Sequence, residues 1–188
     1  MDSINFKATK IKLHDTPTVR ERQPNKRYID KDVSLLKLSR RKADINALHN
    51  LSELWDYEPN YLNSILINYE YCRDKSKIVY VISTQEENFR KLEPEKILGV
   101  AELTKSKKSY KINYIQSRPD CVKSKRARPY KGIGEAMMKP VITLTGRFRI
   151  YLDAVSEAVG FYKRLGFQIV QEDICAPLMV LIKNKKLH

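Results

Sequence analysis

The chain has 188 residues and a formal net charge of +14, with 36 Lys and Arg against 22 Asp and Glu. The length suffices for one domain with a sizeable core, and no run of 18 apolar residues predicts a membrane-spanning helix. The N-terminus lacks the apolar stretch of a signal peptide, and the three cysteines are odd in number and without metal-ligand spacing. We therefore expect a cytoplasmic protein with reduced thiols, no metal site and no membrane partner.

The first part of the chain combines a basic segment with two helical patterns. Residues 1–30 are polar and basic, and they predict one short strand at 6–13 followed by loop. We treat them as an N-terminal strand or arm ahead of a single domain at 31–188. The spacing of apolar residues over 33–56 predicts helix, and that over 61–71 predicts a second helix.

The rest of the chain alternates between strand and helix patterns. Apolar or alternating runs predict six strands, at 78–83, 97–103, 111–117, 149–155, 167–170 and 178–182. A polar loop at 118–131 leads to Gly132, which begins a helix expected to reach about Thr145. A second helix is expected to begin with Ser156 as its cap and to end at Gly166. The order of elements predicts a mixed α/β domain with a central sheet.

Basic residues are concentrated ahead of Gly132. Residues 104–131 hold ten basic side chains and one acidic, whereas residues 43–103 hold six basic and eleven acidic. Such a stretch is commonly a solvated face. Alternatively, it forms an electropositive rim for a polyphosphate cofactor or for nucleic acid.

Five of the six glycines lie between residues 132 and 166. Two of them stand in the run Tyr130-Lys131-Gly132-Ile133-Gly134-Glu135, a tight turn that opens a helix. Because the first amides of a helix are unpaired and glycine has no Cβ, the turn predicts a phosphate site. The motif is neither a Walker A loop nor a dinucleotide fingerprint, and a turn of this kind often has no ligand.

Three features together resemble the GCN5-related N-acetyltransferase (GNAT) family. They are the order of elements, the glycine turn at 130–136, and Leu152-Asp153-Ala154 followed by Ala158 and the run 161–167 (Phe-Tyr-Lys-Arg-Leu-Gly-Phe). The resemblance implies a GNAT-like acyl-CoA N-acyltransferase fold, in the α/β class with an α+β mixed sheet flanked by helices. It also implies acetyl-CoA as cosubstrate. In that family the turn cradles the pyrophosphate, splayed strands hold the pantetheine arm, and an amine attacks the acetyl carbonyl directly.

The resemblance assigns cofactor contacts to ten residues: Arg126, Arg128, Tyr130, Lys131, Gly132, Ile133, Gly134, Glu135, Ala158 and Phe161. Two positions depart from the family pattern. The Arg or Gln ahead of the turn is replaced by Pro129, and a neighbouring arginine is expected to make its phosphate contact. The asparagine often found seven residues before the helix tyrosine is Val155 here, so one cofactor contact is expected to be absent.

Tyr162 aligns with the family tyrosine that protonates the departing CoA thiolate. The alternative is that it is a packing aromatic like Phe161. The base that would deprotonate an acceptor ammonium has two candidates, Glu102 and Asp153, each a carboxylate within an otherwise apolar strand. Glu102 is the stronger candidate, although its side chain could simply face solvent. No histidine or acid is patterned around a cysteine, so a catalytic cysteine is not expected.

Three hypotheses for the acceptor stay open. In the first, the protein acetylates an amine of a small molecule or peptide, which the acidic middle segment favours if the acceptor is cationic. In the second, the acceptor is aminoacyl-tRNA, as in the toxin branch of the family, which the +14 charge favours. In the third, the protein is an inactive CoA-binding or partner-binding module, which only the altered turn suggests. A homodimer is left open.

Overall fold

The computed structural model describes residues 9–39, 42–55, 61–70, 75–89, 91–122 and 128–182. Their strands are β1 (Thr9–Lys10), β2 (Thr18–Arg22), β3 (Tyr28–Asp32), β4 (Ser34–Lys37), β5 (Lys77–Ser83), β6 (Ile97–Lys105), β7 (Ser109–Ser117), β8 (Tyr130–Lys131), β9 (Arg149–Asp153), β10 (Gln168–Gln171) and β11 (Leu178–Leu181). Their α-helices are α1 (Lys42–Leu54), α2 (Tyr61–Glu70), α3 (Ile133–Leu144) and α4 (Val159–Arg164). No helix among these residues is long and apolar enough to cross a bilayer.

Eight strands form the main sheet, in the order β1-β4-β5-β6-β7-β9-β11-β10. Its neighbouring strands are antiparallel, with the exception of β7 and β9, which are parallel. This parallel pairing runs only from Ser109 opposite Arg149 to Ile112 opposite Leu152. Beyond Ile112, β7 continues to Ser117 with no strand of the described chain on that side, so the sheet splits there. The split leaves backbone hydrogen-bonding groups of β7 available to an extended ligand.

A β-bulge lies at the start of the split. Glu102 pairs with Tyr114 and Leu103 pairs with Ile112, so Asn113 is an inserted residue in β7. The bulge bends the strand and changes which side chains face each layer. As a result, Tyr114 packs with the core under α1 and α2, and Ile115 packs with the core under α3 and α4.

Two hydrophobic cores cover the two faces of the main sheet. One contains buried residues of α1 and α2, among them Leu48, Leu51, Leu62 and Ile65. The other contains buried residues of α3 and α4, among them Met137, Met138, Val141 and Tyr162. Successive residues of β5 alternate between the two cores, which is expected for a strand covered on both faces.

Residues 18–32 form a hairpin rather than the expected loop. Strands β2 and β3 are antiparallel, and β8 joins them as a third strand, with Glu21 opposite Tyr130. The short segment Tyr130–Lys131 was also expected to be loop. The local sequence could not indicate this pairing, because the partner strand is 109 residues away. Of the strand expected at 6–13, residues 9–10 are strand, and residues 1–8 lie outside the described part.

The helix expected over 33–56 is half right, because Ser34–Lys37 is strand and only Lys42–Leu54 is helix. In β4, Leu35 packs into one core and Leu36 into the other. A strand buried on both faces presents a continuous apolar run, which periodicity does not separate from a buried helix.

The other expected elements are confirmed to within a few residues, and so is the stop at Gly166. Gly166 has φ +92°, and the Phe167 N–H donates to the Tyr162 carbonyl at 3.1 Å, which closes the end of α4. The cap expected at Ser156 is wrong. Ser156 begins a 3₁₀ turn without capping it, and its hydroxyl donates to the Ile174 carbonyl at 3.5 Å.

Candidate active site

A cleft of about 460 Å³ opens where β7 and β9 separate. Its volume is within the usual range for small-molecule sites. The lining residues come from the end of β7 and the turn after it, from the loop before α3, and from α4: Ile115, Ser117, Cys121, Val122, Arg128, Tyr130 to Glu135, Ala158, Phe161, Tyr162 and Arg164. The structure therefore brings the glycine turn and the predicted catalytic tyrosine to one cleft.

Gly132 lets the chain enter α3 from the left-handed region. Its φ is +84°, and its carbonyl accepts the Ala136 N–H at 2.8 Å as the first bond of the helix. The amides of Ile133, Gly134 and Glu135 have no partner within the helix, and the helix dipole adds partial positive charge beside them. A Cβ at Gly132 would meet no atom within 4 Å, so the space beside the turn is open. This arrangement suits an anion such as a phosphate.

Gly134, in the first turn of α3, lies close to Phe161 of α4. A Cβ there would lie 3.2 Å from Cζ of Phe161, which is closer than a side chain normally tolerates. A side chain at this position would need the Phe161 ring to shift by a few tenths of an ångström, so the packing of α3 on α4 favours glycine here. Access for a phosphate was the expected reason for glycine at both positions, and the open space beside Gly132 is compatible with it.

The N-terminal hairpin (β2 and β3) holds the glycine loop, residues 128–132, in place. The Arg22 N–H donates to the Pro129 carbonyl at 2.7 Å, and the Tyr28 hydroxyl donates to the Arg128 carbonyl at 2.9 Å. The Lys131 ammonium lies 4.0 Å from the centre of the Tyr28 ring, a cation–π contact. Pro129, the departure from the family pattern, is thus a backbone acceptor for the hairpin.

Tyr130 attaches the same loop through its side chain. Its hydroxyl donates to Oε1 of Glu21 at 2.9 Å. Burial, together with this hydrogen bond to a carboxylate, raises the pKa of Tyr130 to about 12. The hydroxyl is therefore a permanent donor at neutral pH and is already used by Glu21.

Tyr162 is a buried residue in the lining of the cleft. Its ring packs edge-on against Phe161 and Phe167, with centroids 5.1 and 5.7 Å away. Burial, and secondarily the nearby Tyr61, raises the pKa of Tyr162 to about 12. At neutral pH the hydroxyl is protonated and can donate a hydrogen bond to an atom in the cleft.

Comparison with known proteins gives a fold but no sequence relative. The sequence matches no protein-family model and no curated protein. The structure matches the PaiA N-acetyltransferase of Thermoplasma acidophilum in complex with coenzyme A, at a TM-score of 0.54 and 15% identity over 81% of this chain and 99% of that one. It also matches an acetyltransferase of Bacteroides thetaiotaomicron assigned to the GNAT family, at a TM-score of 0.55 and 13% identity over 79% of this chain and 88% of that one.

A third match is the N-acetyltransferase PseH of Campylobacter jejuni in complex with acetyl coenzyme A. Its TM-score is 0.51 and its identity 14%, over 81% of this chain and 99% of that one. The chain has the GNAT fold. At these identities the likeness concerns the fold, and the roles of individual residues must be argued from the site itself.

Within the GNAT fold, Glu102 is not among the described residues that line the cleft. Its side chain is fully buried, and Oε1 accepts from Nδ2 of Asn113 at 2.8 Å and lies 3.5 Å from Nζ of Lys77. The second oxygen, Oε2, has no partner among the described residues. Glu102 is therefore part of a buried polar network that includes Asn113, the bulge residue of β7.

Asp153 is placed still less favourably for proton transfer. Its side chain is about half exposed, and Oδ2 forms an ion pair with Nζ of Lys111 at 2.8 Å. It is not among the described residues that line the cleft. The structure thus does not bring Asp153 together with Tyr162.

The remaining predicted contacts have different positions. Arg128, Ala158 and Phe161 line the cleft. Glu135 lines it at the first turn of α3, where its carboxylate pairs with Nζ of Lys139 at 2.6 Å. Ile133 also borders the cleft, although its side chain is buried in the core. Arg126 lies outside the described residues.

Sequence reasoning missed five lining residues: Ile115, Ser117, Cys121, Val122 and Arg164. Ile115 and Ser117 could have been found, since alternate residues at the end of the strand before the glycine turn share one face. Cys121 is one of the three cysteines, for which the sequence predicted no function. Burial raises its pKa to about 12, so at neutral pH it is an unreactive neutral thiol beside the cleft.

Proposed function

We propose that the protein is an acetyl-CoA-dependent N-acetyltransferase, which transfers the acetyl group directly to an amine. One observation carries the proposal: the open edge of β7, the first amides of α3 and the Tyr162 hydroxyl surround one cleft. These groups suit, in that order, the amides of pantetheine, the pyrophosphate and the thioester sulfur. Coenzyme A or acetyl coenzyme A in two solved structures of the same fold supports the choice of cosubstrate.

The proposed chemistry forms a C–N bond and breaks the C–S bond of the thioester. The amine nitrogen attacks the acetyl carbonyl, the CoA thiolate departs, and the proton lost by the amine ends on the sulfur. A phenol with a pKa of about 12 holds its proton more tightly than a thiol with a pKa of about 8.5. We therefore assign Tyr162 the role of a hydrogen-bond donor that stabilises negative charge as it develops on sulfur.

Glu102 is the proposed base for the acceptor ammonium, acting through a water. The unpartnered Oε2 is the atom available to such a water. Asp153 is the weaker alternative, because Lys111 already pairs with its carboxylate.

Calorimetric titration with acetyl-CoA tests the proposal first, followed by an assay of CoA release with panels of small amines and peptides. We expect micromolar binding and acceptor-dependent release. Absence of binding at millimolar acetyl-CoA would reject the cosubstrate. Binding without release for any acceptor would favour the inactive CoA-binding module.

The +14 net charge favours aminoacyl-tRNA as a second candidate acceptor. Binding to a polyanion through Lys and Arg releases counterions, so its affinity should fall steeply with salt. The matched test compares acetyl transfer to aminoacyl-tRNA with transfer to the same tRNA without its amino acid. Modification of the charged tRNA alone would establish this acceptor, whereas transfer only to small amines would reject it.

A further inference from the structure

A second groove, of about 880 Å³, adjoins the cleft on the other side of the glycine loop. One wall is the N-terminal segment 13–20 and the other is the exposed side of α3. Lys131, Gly132, Glu135 and Arg164 line both the cleft and the groove. The two spaces therefore meet at the glycine loop, beside the start of α3.

Each acidic residue that lines the groove has a basic residue nearby, which leaves two basic residues at the junction without an acidic partner in the described part of the chain. Asp15 contacts His14 at 3.1 Å, and Glu135 pairs with Lys139 at 2.6 Å. The third, Asp30, lies opposite Arg20 in the strand register.

Lys131 and Arg164 have no carboxylate partner among the described residues. Lys131 instead lies 4.0 Å from the centre of the Tyr28 ring, which carries no formal negative charge to oppose it. Arg164 is exposed in the last turn of α4. A junction with two uncompensated cations suits a phosphate group.

We propose that the groove binds the nucleotide end of the cosubstrate and that Arg164 contacts the 3′-phosphate of its adenosine. The inference rests on the proposed function, because it continues the same ligand beyond the pyrophosphate at Gly132. From there the ligand can run into solvent or into the groove, which begins at that residue. The groove also offers apolar surface for a flat base, from Leu13, Ala136, Ile142 and Leu165.

Dephospho-CoA isolates the 3′-phosphate, since it differs from CoA only by lacking that group. In calorimetry at low salt, we expect the wild-type protein to bind CoA about tenfold more tightly than dephospho-CoA. This difference is the effect of one charge-assisted contact. Arg164→Ala should remove this preference by weakening CoA, with the affinity for dephospho-CoA unchanged. Lys163→Ala is the matched control. It removes one exposed positive charge from the same helix, and Lys163 is not among the described residues that line the cleft or the groove.

A second variant tests the groove itself. Thr143 is an exposed residue of α3 in the groove wall, and Thr143→Trp should obstruct it. We expect weaker binding of CoA and unchanged binding of 4′-phosphopantetheine, which has no nucleotide. Thermal unfolding of each variant checks that it is folded.

The possible failures differ in what they overturn. Equal wild-type affinity for CoA and dephospho-CoA would overturn the 3′-phosphate site while leaving the proposed function intact. Equal weakening of both ligands in Arg164→Ala would put Arg164 at the pyrophosphate and overturn its assignment. Absence of CoA binding to the wild-type protein would overturn both this inference and the proposed function.

Discussion

The Tyr28 hydroxyl donates a hydrogen bond of 2.9 Å to the backbone carbonyl of Arg128, which is 100 positions further along the chain. This bond connects the N-terminal hairpin to the glycine loop. The Arg22 N–H also donates to the Pro129 carbonyl. Through these two bonds the hairpin of β2 and β3, which is not part of the main sheet, supports the candidate site. The basic N-terminal segment of the chain thus has a specific structural partner, the glycine loop.

Tyr28→Phe should loosen the glycine loop without removing the ring under Lys131. We expect the Kd for acetyl-CoA to rise about fivefold and the free energy of unfolding to fall by about 1 kcal/mol, as for the loss of one hydrogen bond. Calorimetry and urea unfolding measure the two effects. Tyr151→Phe is the control, since the Tyr151 hydroxyl has no hydrogen bond within the described chain. Unchanged affinity in Tyr28→Phe would mean that the loop keeps its position without this bond.

Substitutions at Gly132 separate backbone strain from charge at the turn. Asparagine tolerates a φ of +84° better than other residues, so Gly132→Asn should fold with modest strain. Gly132→Asp has nearly the same shape but adds a negative charge beside the first amides of α3. We expect the Asp variant to bind acetyl-CoA at least about tenfold more weakly than the Asn variant at low salt, with the difference shrinking as salt is added. Equal affinities would argue against a phosphate at this turn.

Tyr162→Phe should act on turnover rather than on binding. The variant keeps the aromatic packing and loses the donor, so we expect kcat to fall about 100-fold with little change in the Kd for acetyl-CoA. Steady-state kinetics and calorimetry separate the two quantities. Phe161→Leu, at a neighbouring residue of the cleft without a hydroxyl, should show mainly weaker binding. An unchanged kcat in Tyr162→Phe would leave Tyr162 with packing as its function.

Stability should fall at alkaline pH. The pKa values of Cys121, Tyr130 and Tyr162 are raised to about 12, chiefly by burial, from ordinary values of 9.0 for the thiol and 10.0 for the phenols. A group with a raised pKa contributes stability that is present below its unfolded pKa and is lost as the pH approaches its folded pKa. We therefore expect the free energy of unfolding to decline between about pH 9 and pH 12. Urea unfolding across this range should show a shallower decline for Tyr162→Phe than for wild type.

Glu102 offers a test of the buried network and of the base at once. Glu102→Ala leaves Lys77 without its partner, and we expect a loss of about 2 kcal/mol, below the range for fully buried pairs because Lys77 is 18% exposed. Glu102→Gln retains an acceptor for Asn113 and should lose less stability. If Glu102 is the base, the Gln variant binds acetyl-CoA normally and has a lower kcat at neutral pH. A normal kcat in Glu102→Gln would restrict Glu102 to a structural role.

Local signals in the sequence identified many of the elements that form the site. The glycine turn, helix α3, the strand before the turn and the stop at Gly166 were recognised because each depends on residues within a few positions of one another. The fold class was predictable for the same reason, since the order of elements follows from local patterns, and the structure confirmed it. Tyr162 was found through resemblance, and the structure put it in the cleft with the turn.

Contacts between distant segments were not predictable. The docking of β2 on β8 joins residues 109 positions apart, and the side chain that would crowd a Cβ at position 134 is the ring of Phe161 on another helix. The direction of the Glu102 side chain depends on how β6 pairs with the bulged strand β7. The residues of β6 alone give no information about that pairing. The sequence alone indicated α2, α3, α4, part of α1 and most of the strands, because those follow from local conformational preference. Only the tertiary structure decided which side chains share the cleft, because burial and register bring together residues that the chain keeps far apart.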